Sequence, residues 1–182
     1  MSLKSHFELL ASYNSWMNES LYLASQRLSS DELACNRGAY FGSIIGTLNH
    51  ILVGDLIWLK RFAEHPSEFM ALSYVKALKM PSSLDKQLYD NINDLFVERV
   101  KLDKIITAFC SEINEDCLSS TLTYKNTKGK LFHKKMSDLV LHLFNHQTHH
   151  RGQVSTLLNQ QGIDIGGTDL LLKIPEVKYT LK

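Results

Sequence analysis

The sequence predicts an all-α fold, a four-helix bundle with a short β-hairpin or extended excursion before the last helix. Two observations carry this prediction: only 3 of the 182 residues are prolines, and four segments place apolar side chains at helical spacing. Hydrophobic residues make up 44% of the chain and charged residues 21%, which is typical of soluble globular proteins. A chain of this length fits a single domain, residues 1–182.

The first two predicted helices cover about residues 2–29 and 43–63. Ser2 can cap the first helix, and Asn14 lies inside its apolar stripe. The second helix, SIIGTLNHILVGDLIWLKRFA, is apolar nearly all round, which indicates packing on several sides, and Pro66 follows its end. The stripe of the first helix consists of Leu3, Phe7, Leu10, Met17, Leu21 and Leu28.

The third predicted helix covers about residues 83–113. It begins at the serines of PSSLD, which can act as caps, and Arg99 interrupts its apolar line near the centre. That line consists of Leu84, Leu88, Ile92, Leu95, Leu102, Ile106, Phe109 and Ile113.

The helical pattern stops between the third and fourth helices. Residues 118–135 show a threonine-rich alternation around NTKG, which predicts a β-hairpin or an extended excursion. The fourth helix covers about residues 137–161, beginning near Ser137, and Gly162 is suited to cap its end. We expect a loop and a docked end after this glycine.

Charge and cysteine content narrow the classes of function. The formal net charge is +1, so no bulk basicity favours nucleic acid as a partner. The N-terminal SLKSHFELL has no signal-peptide pattern and no run of 18 apolar residues follows, which predicts a cytoplasmic protein that does not associate with membranes. The 3 cysteines lack a C-x-x-C spacing, so we expect reduced, structural thiols.

The stretch HQTHHRGQ in the fourth helix raises the possibility of a metal site. His146 and His150 face the core, and an imidazole pair four residues apart on a helix can bind one divalent ion. His149 lies about 100° from His150 around the helix and so leaves this face. His142, one turn before His146, stays a reserve candidate. The core face consists of Leu139, Leu143, His146, His150, Val154 and Leu157.

The second helix supplies a third histidine. His50 lies in GTLNHILVGD, a segment too apolar to hold an imidazole without a partner. Three neutral imidazoles without a cysteine suit Zn²⁺, Ni²⁺ or Fe²⁺ and leave a coordination position open. Asp55 points about 140° away, so we expect it to pair with a buried cation such as Arg99 instead. The alternative for the fourth-helix pair is structural, because buried histidines often bond to a carbonyl or an aspartate.

A family resemblance is carried by three stretches, YNSWMNESLY (13–22), RGAYFGSIIGTLNHILVGDLIWLKRF (37–62) and LVLHLFNHQTHHRGQVSTLLNQQGID (139–164), the last followed by TDLLLKIPE. Together they closely resemble the DinB-like family of damage-inducible bacterial proteins. The most specific parts are N-H-x-x-x-x-D-x-x-W at 49–58 and H-x-x-x-H-R-G-Q at 146–153. The similarity runs in order over nearly the whole chain.

The resemblance implies a four-helix bundle, often dimeric, with one divalent metal held by His50, His146 and His150. Relatives in the wider superfamily resemble thiol-dependent S-transferases and a maleylpyruvate isomerase. We therefore expect a metal-dependent enzyme, a thiol S-transferase or related detoxification activity, with zinc as the favoured metal and nickel or iron as alternatives. Its expected partners are a small-molecule substrate, such as a low-molecular-weight thiol, and a second copy of the chain.

Two other interpretations stay open at this stage. One is a stress-induced protein that binds a metal or small ligand without turnover, and the other is a set of histidines that only stabilises the fold. Asn14, Arg99 and Arg151 are candidate substrate-binding residues, but core hydrogen bonds, an ion pair with Asp55 or a surface position would explain them equally well. Gly152 inside a helix indicates that another helix approaches closely there.

Overall fold

The computed structural model describes residues 2–177, which form a mostly helical fold with a small two-stranded antiparallel sheet. The loop and docked end predicted after Gly162 are described as far as residue 177, and the rest of that segment lies outside the described residues. Within it, the Thr168 carbonyl accepts a hydrogen bond from the Tyr13 hydroxyl, 2.6 Å away. The elements are α1 (Leu3–Ser25), α2 (Ser30–Ala34), α3 (Ile44–Phe62), a 3₁₀ turn (Met70–Leu72), α4 (Ser73–Ala77), α5 (Ile92–Glu112), α6 (Glu115–Ser119), β1 (Thr121–Lys125), β2 (Leu131–Lys135), α7 (Met136–Asn159) and a second 3₁₀ turn (Leu170–Lys173).

Side-chain caps explain where the first helices begin. Ser2 accepts a hydrogen bond from the Ser5 amide at the start of α1, as predicted, and Ser43 accepts one from the Gly46 amide at the start of α3. The first helix ends at Ser25 rather than near residue 29. Ser29 instead forms a capping box with Glu32 that begins α2.

The predicted start of the third helix at residue 83 is wrong. Asn91 caps α5, accepting hydrogen bonds from the amides of Asn93 and Asp94, and the helix begins at Ile92. Leu84 and Leu88 precede it in irregular chain, although they continue the apolar spacing. Hydrogen bonds to His50 and Asn49 on α3 hold this segment in an irregular conformation, although its apolar spacing is helical.

The predicted hairpin is present before the last long helix. Strands β1 and β2 pair in antiparallel register from Thr121 opposite Lys135 to Lys125 opposite Leu131. The backbone carbonyl of Asn126 accepts a hydrogen bond from the Gly129 amide across the turn. Gly129 has a φ of +78°, a conformation that favours glycine. The last helix begins at Met136 and ends at Asn159, close to the predicted bounds, and Gly162 follows it with a φ of +73°.

The four long helices pack against one another. Helix α1 contacts α5 and α7, and α3 also contacts both of these helices. The core between them is formed by buried apolar side chains from all four, among them Leu21, Leu52, Leu102 and Leu143. Within residues 2–177, no helix is long and apolar enough to cross a membrane.

A buried ion pair lies inside this apolar core. The Arg99 guanidinium on α5 bonds to the Asp55 carboxylate on α3, the predicted pairing, and both side chains are fully buried. It also lies 3.0 Å from the Asp103 carboxylate, one turn further along α5. Burial lowers the pKa of Arg99, but the attraction of Asp103 and Asp55 outweighs it, so the net pKa is raised.

Amide side chains extend this ion pair to α1 and α7. Asn14 and Asn18 on α1 donate to the Asp103 carboxylate over 3.1 and 2.9 Å. Arg151 on α7 donates to the Asn14 side-chain oxygen and, over 3.3 Å, to Gln147. The three residues predicted as substrate contacts, Asn14, Arg99 and Arg151, thus all have buried partners in this network, and their role toward a substrate stays a prediction.

Replacing Arg99 by methionine should sharply destabilise the fold. The change leaves Asp55 and Asp103 buried without their cation, which typically costs about 3–5 kcal/mol. Urea denaturation would measure the loss, and the additional change Asp55→Leu should restore part of it by removing one unpaired charge. An Arg99→Met protein with wild-type stability and weakened ligand binding would instead assign Arg99 to substrate.

Candidate metal centre

Three histidine side chains from two helices meet near the surface of the core. His50 on α3 and His146 and His150 on α7 form a group whose ligand atoms all lie within 4.8 Å of one another. The Nε2 atom of His50 lies 3.0 Å from that of His146 and 3.2 Å from that of His150. A tetrahedral ion about 2.0–2.1 Å from each nitrogen would hold such atoms about 3.3 Å apart. The spacing therefore fits one small divalent cation.

Hydrogen bonds on the far side of two rings orient them toward this centre. Nδ1 of His50 lies 2.8 Å from the Leu84 carbonyl, and Nδ1 of His150 lies 2.9 Å from the side-chain oxygen of Gln153. Because these oxygens accept, each Nδ1 carries the proton and each Nε2 of a neutral ring carries a lone pair. Two lone pairs 3.2 Å apart repel each other, and a cation between them would remove that repulsion.

Asn49 fastens the segment that follows Leu84 to α3, a role that the sequence does not predict. Its side-chain oxygen accepts hydrogen bonds from the amides of Leu88 and Tyr89, over 2.8 and 3.0 Å, and its nitrogen donates to the Tyr89 carbonyl over 2.9 Å. These bonds hold residues 84–89, here called the strap, against α3. An asparagine in a largely apolar helix is the signal that the sequence offers, but the apolar spacing predicts a helix, and not a strap, for residues 84–89.

Gly54 lies one turn after His50 along α3 and makes room for the His146 ring on α7. A Cβ atom at residue 54 would lie 2.6 Å from Cε1 of the His146 ring, closer than such atoms approach. The prediction of a close approach at Gly152 is wrong, since a Cβ atom there would meet nothing within 4 Å. Phe41 completes the packing by stacking on the His50 ring, with centroids 3.6 Å apart.

Burial keeps the three imidazoles neutral. Burial first, and then repulsion from His150 and His50, lower the pKa of His146 to about 3. Burial is also the main reason why the pKa values of His50 and His150 are lowered. Neutral imidazoles are the form that binds a metal, so the site is prepared for a cation before one arrives. Nδ1 of His146 is buried and has no hydrogen-bond partner among the described residues.

A cavity of about 240 Å³ adjoins one side of the cluster. Helix α3, the strap, the hairpin turn and α7 enclose it. His142 lies in its wall, with its ring centroid 5.0 Å from that of Trp58, and is not part of the three-histidine group. His149 is exposed and also lies outside the group, as its position around the helix predicts. The lining residues are His50, Gly54, Ile57, Trp58, Arg61, Leu84, Asn126, Thr127, His142 and His146.

A comparison of the sequence with known protein families identifies the family of the chain. The family model described as "DinB family" matches residues 1–177. The chain belongs to the DinB family. The curated protein named "Protein DinB", from Bacillus subtilis strain 168, is 26% identical over 161 residues, which cover 88% of each chain.

Membership of the DinB family agrees with the resemblance carried by the two histidine-containing motifs. In this DinB family member, those motifs contribute the three imidazoles and Asn49, which fixes the strap. The donor atoms of the site and their spacing would allow it to hold a metal ion.

Replacing Gly54 by alanine should weaken metal binding. The added methyl group would push the His146 ring away from its position, and displaced support of a ligand typically reduces metal affinity by about 10–100-fold. Zinc titration of the purified variant would measure this change. Gly152→Ala is the matched control, because it adds the same group to a helix in open space; it should raise stability by about 1 kcal/mol and leave zinc affinity unchanged. Equal affinities in the two variants would contradict the role of Gly54.

Zinc binding at pH 6 should release fewer protons than a set of three ordinary histidines. Ordinary imidazoles with a pKa near 6.5 would release about two protons in total at that pH. His146, with a pKa of about 3, has none to release. Calorimetry in buffers of different ionisation enthalpy counts these protons.

The lowered pKa of His146 also predicts a pH dependence of stability. Since the folded-state pKa lies below 6.5, the unfolded chain binds the proton more readily, and the free energy of unfolding of the metal-free protein should fall as the pH falls from 6.5 toward 3.

Proposed function

We propose that this DinB family member is a divalent-metal-dependent enzyme that transfers a low-molecular-weight thiol to an electrophile, as a thiol S-transferase or a related detoxification activity. The observation that carries the proposal is a three-imidazole site with an open cavity beside it. A structural metal site usually has four protein ligands, whereas a catalytic site keeps one position for substrate. Zinc is the proposed metal, with nickel or iron as alternatives.

The chain itself supplies the positions of the reacting groups. His50, His146 and His150 would hold the ion, which when bound lowers the pKa of a thiol or water molecule and so provides a nucleophile at neutral pH. The Leu84 carbonyl and Gln153 keep the Nε2 atoms of two rings directed at the centre. Trp58 and Ile57 in the cavity wall exclude water from the substrate.

The protein's own thiols are poorly suited to act as the nucleophile, which supports an external thiol. Burial raises the pKa of Cys110 to about 12 and also raises that of Cys117. Cys35 is exposed, and none of the three cysteines lines the cavity beside the histidines. A thiol that binds as a substrate would supply the nucleophile that these cysteines do not.

The same proposal includes the finer description of the protein. The four long helices form a four-helix bundle, supported by the contacts of α1 and α3 with both α5 and α7. The protein works in the cytoplasm as a homodimer on a small molecule, and not on nucleic acid or at a membrane. The homodimer is supported by the family resemblance alone.

The thiol S-transferase proposal predicts thiol consumption that depends on the bound metal. Protein stripped of metal and then loaded with zinc, nickel or iron would be incubated with a panel of thiols and a haloaromatic electrophile, and thiol loss would be followed. The loaded protein should exceed both buffer and stripped protein. His150→Ala should lose metal and activity together, whereas His149→Ala should retain its metal content, because His149 lies outside the cluster.

Two outcomes would contradict this proposal. Thiol loss no faster than in buffer, together with tight ligand binding, would indicate a binding protein without turnover. Metal removal that lowers only the thermal stability would indicate a structural site.

A further inference from the structure

One face of α3 leads from the candidate metal centre to an arginine. His50, Gly54, Trp58 and Arg61 lie within about 80° of one another around the helix, so they form a single stripe along the cavity wall. Arg61 lies seven residues beyond Gly54, which corresponds to about 10 Å of helix rise. Helical side chains lean toward the N-terminus, so the Arg61 guanidinium leans back toward His50.

The Arg61 guanidinium is held in place by aromatic rings and has no acidic partner. Its Cζ atom lies 4.6 Å from the Trp58 ring centroid and 4.9 Å from that of Tyr124 on the hairpin. Its Nε atom is buried and makes no hydrogen bond, and within residues 2–177 no carboxylate lies within 4.0 Å of its nitrogens. An arginine stays charged in proteins, so this is a half-buried cation without a counter-ion.

The surroundings of Arg61 lack negative charge on the side of the histidines. The lining of the 240 Å³ cavity includes no aspartate or glutamate. Arg61 also lines a neighbouring groove of about 420 Å³, where Glu64 is the one acidic residue and Lys60 and Lys125 are basic. Lys60 is already used, since its ammonium group bonds to the carbonyls of Val75 and Lys76 over 3.1 and 3.0 Å. Of the three basic residues of this groove, Arg61 also lines the histidine cavity, and its buried Nε is left for a ligand there.

We propose that Arg61 binds an anionic group of the substrate, a carboxylate, while the other end of the same molecule reaches the three-histidine centre. The guanidinium can bind a carboxylate through two parallel hydrogen bonds, and partial burial strengthens them. The helix geometry places the two ends of the ligand on the order of 7–10 Å apart. This inference rests on the proposed function, because the end that reaches the histidines is taken to be the thiol. Arg61 thus determines which thiols the site accepts.

The test compares two thiols of equal chain length, one of which ends in a carboxylate and the other in an uncharged hydroxyl group. Titrating cobalt-loaded protein with 6-mercaptohexanoate or with 6-mercaptohexanol gives an affinity for each, read from the thiolate-to-cobalt absorption band. The wild-type protein should bind the carboxylate at least about tenfold more tightly, the range of a charge-assisted hydrogen bond. Arg61→Met should reduce this preference to about one and leave the affinity for the alcohol unchanged. Arg61→Lys should retain part of it.

Lys125→Met is the matched control, since it removes one positive charge from the same groove without touching the histidine cavity. It should keep the wild-type preference, and circular dichroism would verify the fold of each variant. An Arg61→Met protein that still prefers the carboxylate overturns the inference, as does an equal loss of preference in Lys125→Met.

Failure of the proposed function would look different. If thiols are not ligands of the three-histidine centre, neither thiol would change the cobalt spectrum. Binding of hexanoate, which has no thiol, would then be measured by calorimetry in wild type and Arg61→Met. Weaker hexanoate binding in the variant would support anion recognition by Arg61, and equal binding would overturn it.

Discussion

The meeting of three neutral imidazoles at one point is the constraint on which the rest of the structure depends. Two of their Nε2 atoms, on His50 and His150, present lone pairs to each other at 3.2 Å because their Nδ1 protons are committed elsewhere. A cation at the centre would remove the repulsion between these two lone pairs. The strap, Gly54 and Phe41 all serve to keep the rings in this position.

The buried polar network and the histidine cluster divide the interior between them. The network joins Asp55, Arg99 and Asp103 to amides on α1 and α7, which links all four long helices through charges that cannot be left unpaired. Its bonds require particular partners, so it favours one arrangement of the helices over others of equal hydrophobic content. The cluster needs this arrangement, because its ligands come from two different helices.

Sequence periodicity was informative where the structure depends on local geometry. The pairing of His146 with His150 follows from 3.6 residues per turn, and the caps at Ser2 and Gly162 follow from the chemistry of helix ends. It was misleading at Leu84 and Leu88, whose apolar spacing continues that of α5. There, hydrogen bonds join Leu88 and Tyr89 to Asn49, 39 and 40 residues earlier, and join the Leu84 carbonyl to His50. Together they outweigh a helical preference of a few tenths of a kcal/mol per residue.

The helical class, the histidines that face the core and the family were predictable from the sequence, and so was a hairpin or extended excursion before the last helix. Each of these follows from residue spacing or from a motif along the chain. Only the tertiary structure decided that Gly54, rather than Gly152, makes room for an imidazole. It also decided that Arg61 lines the cavity, whereas Arg151 is tied to a partner in the core. The reason is physical: burial and pairing of a charge depend on which helices pack together, and no local pattern in one helix contains that information.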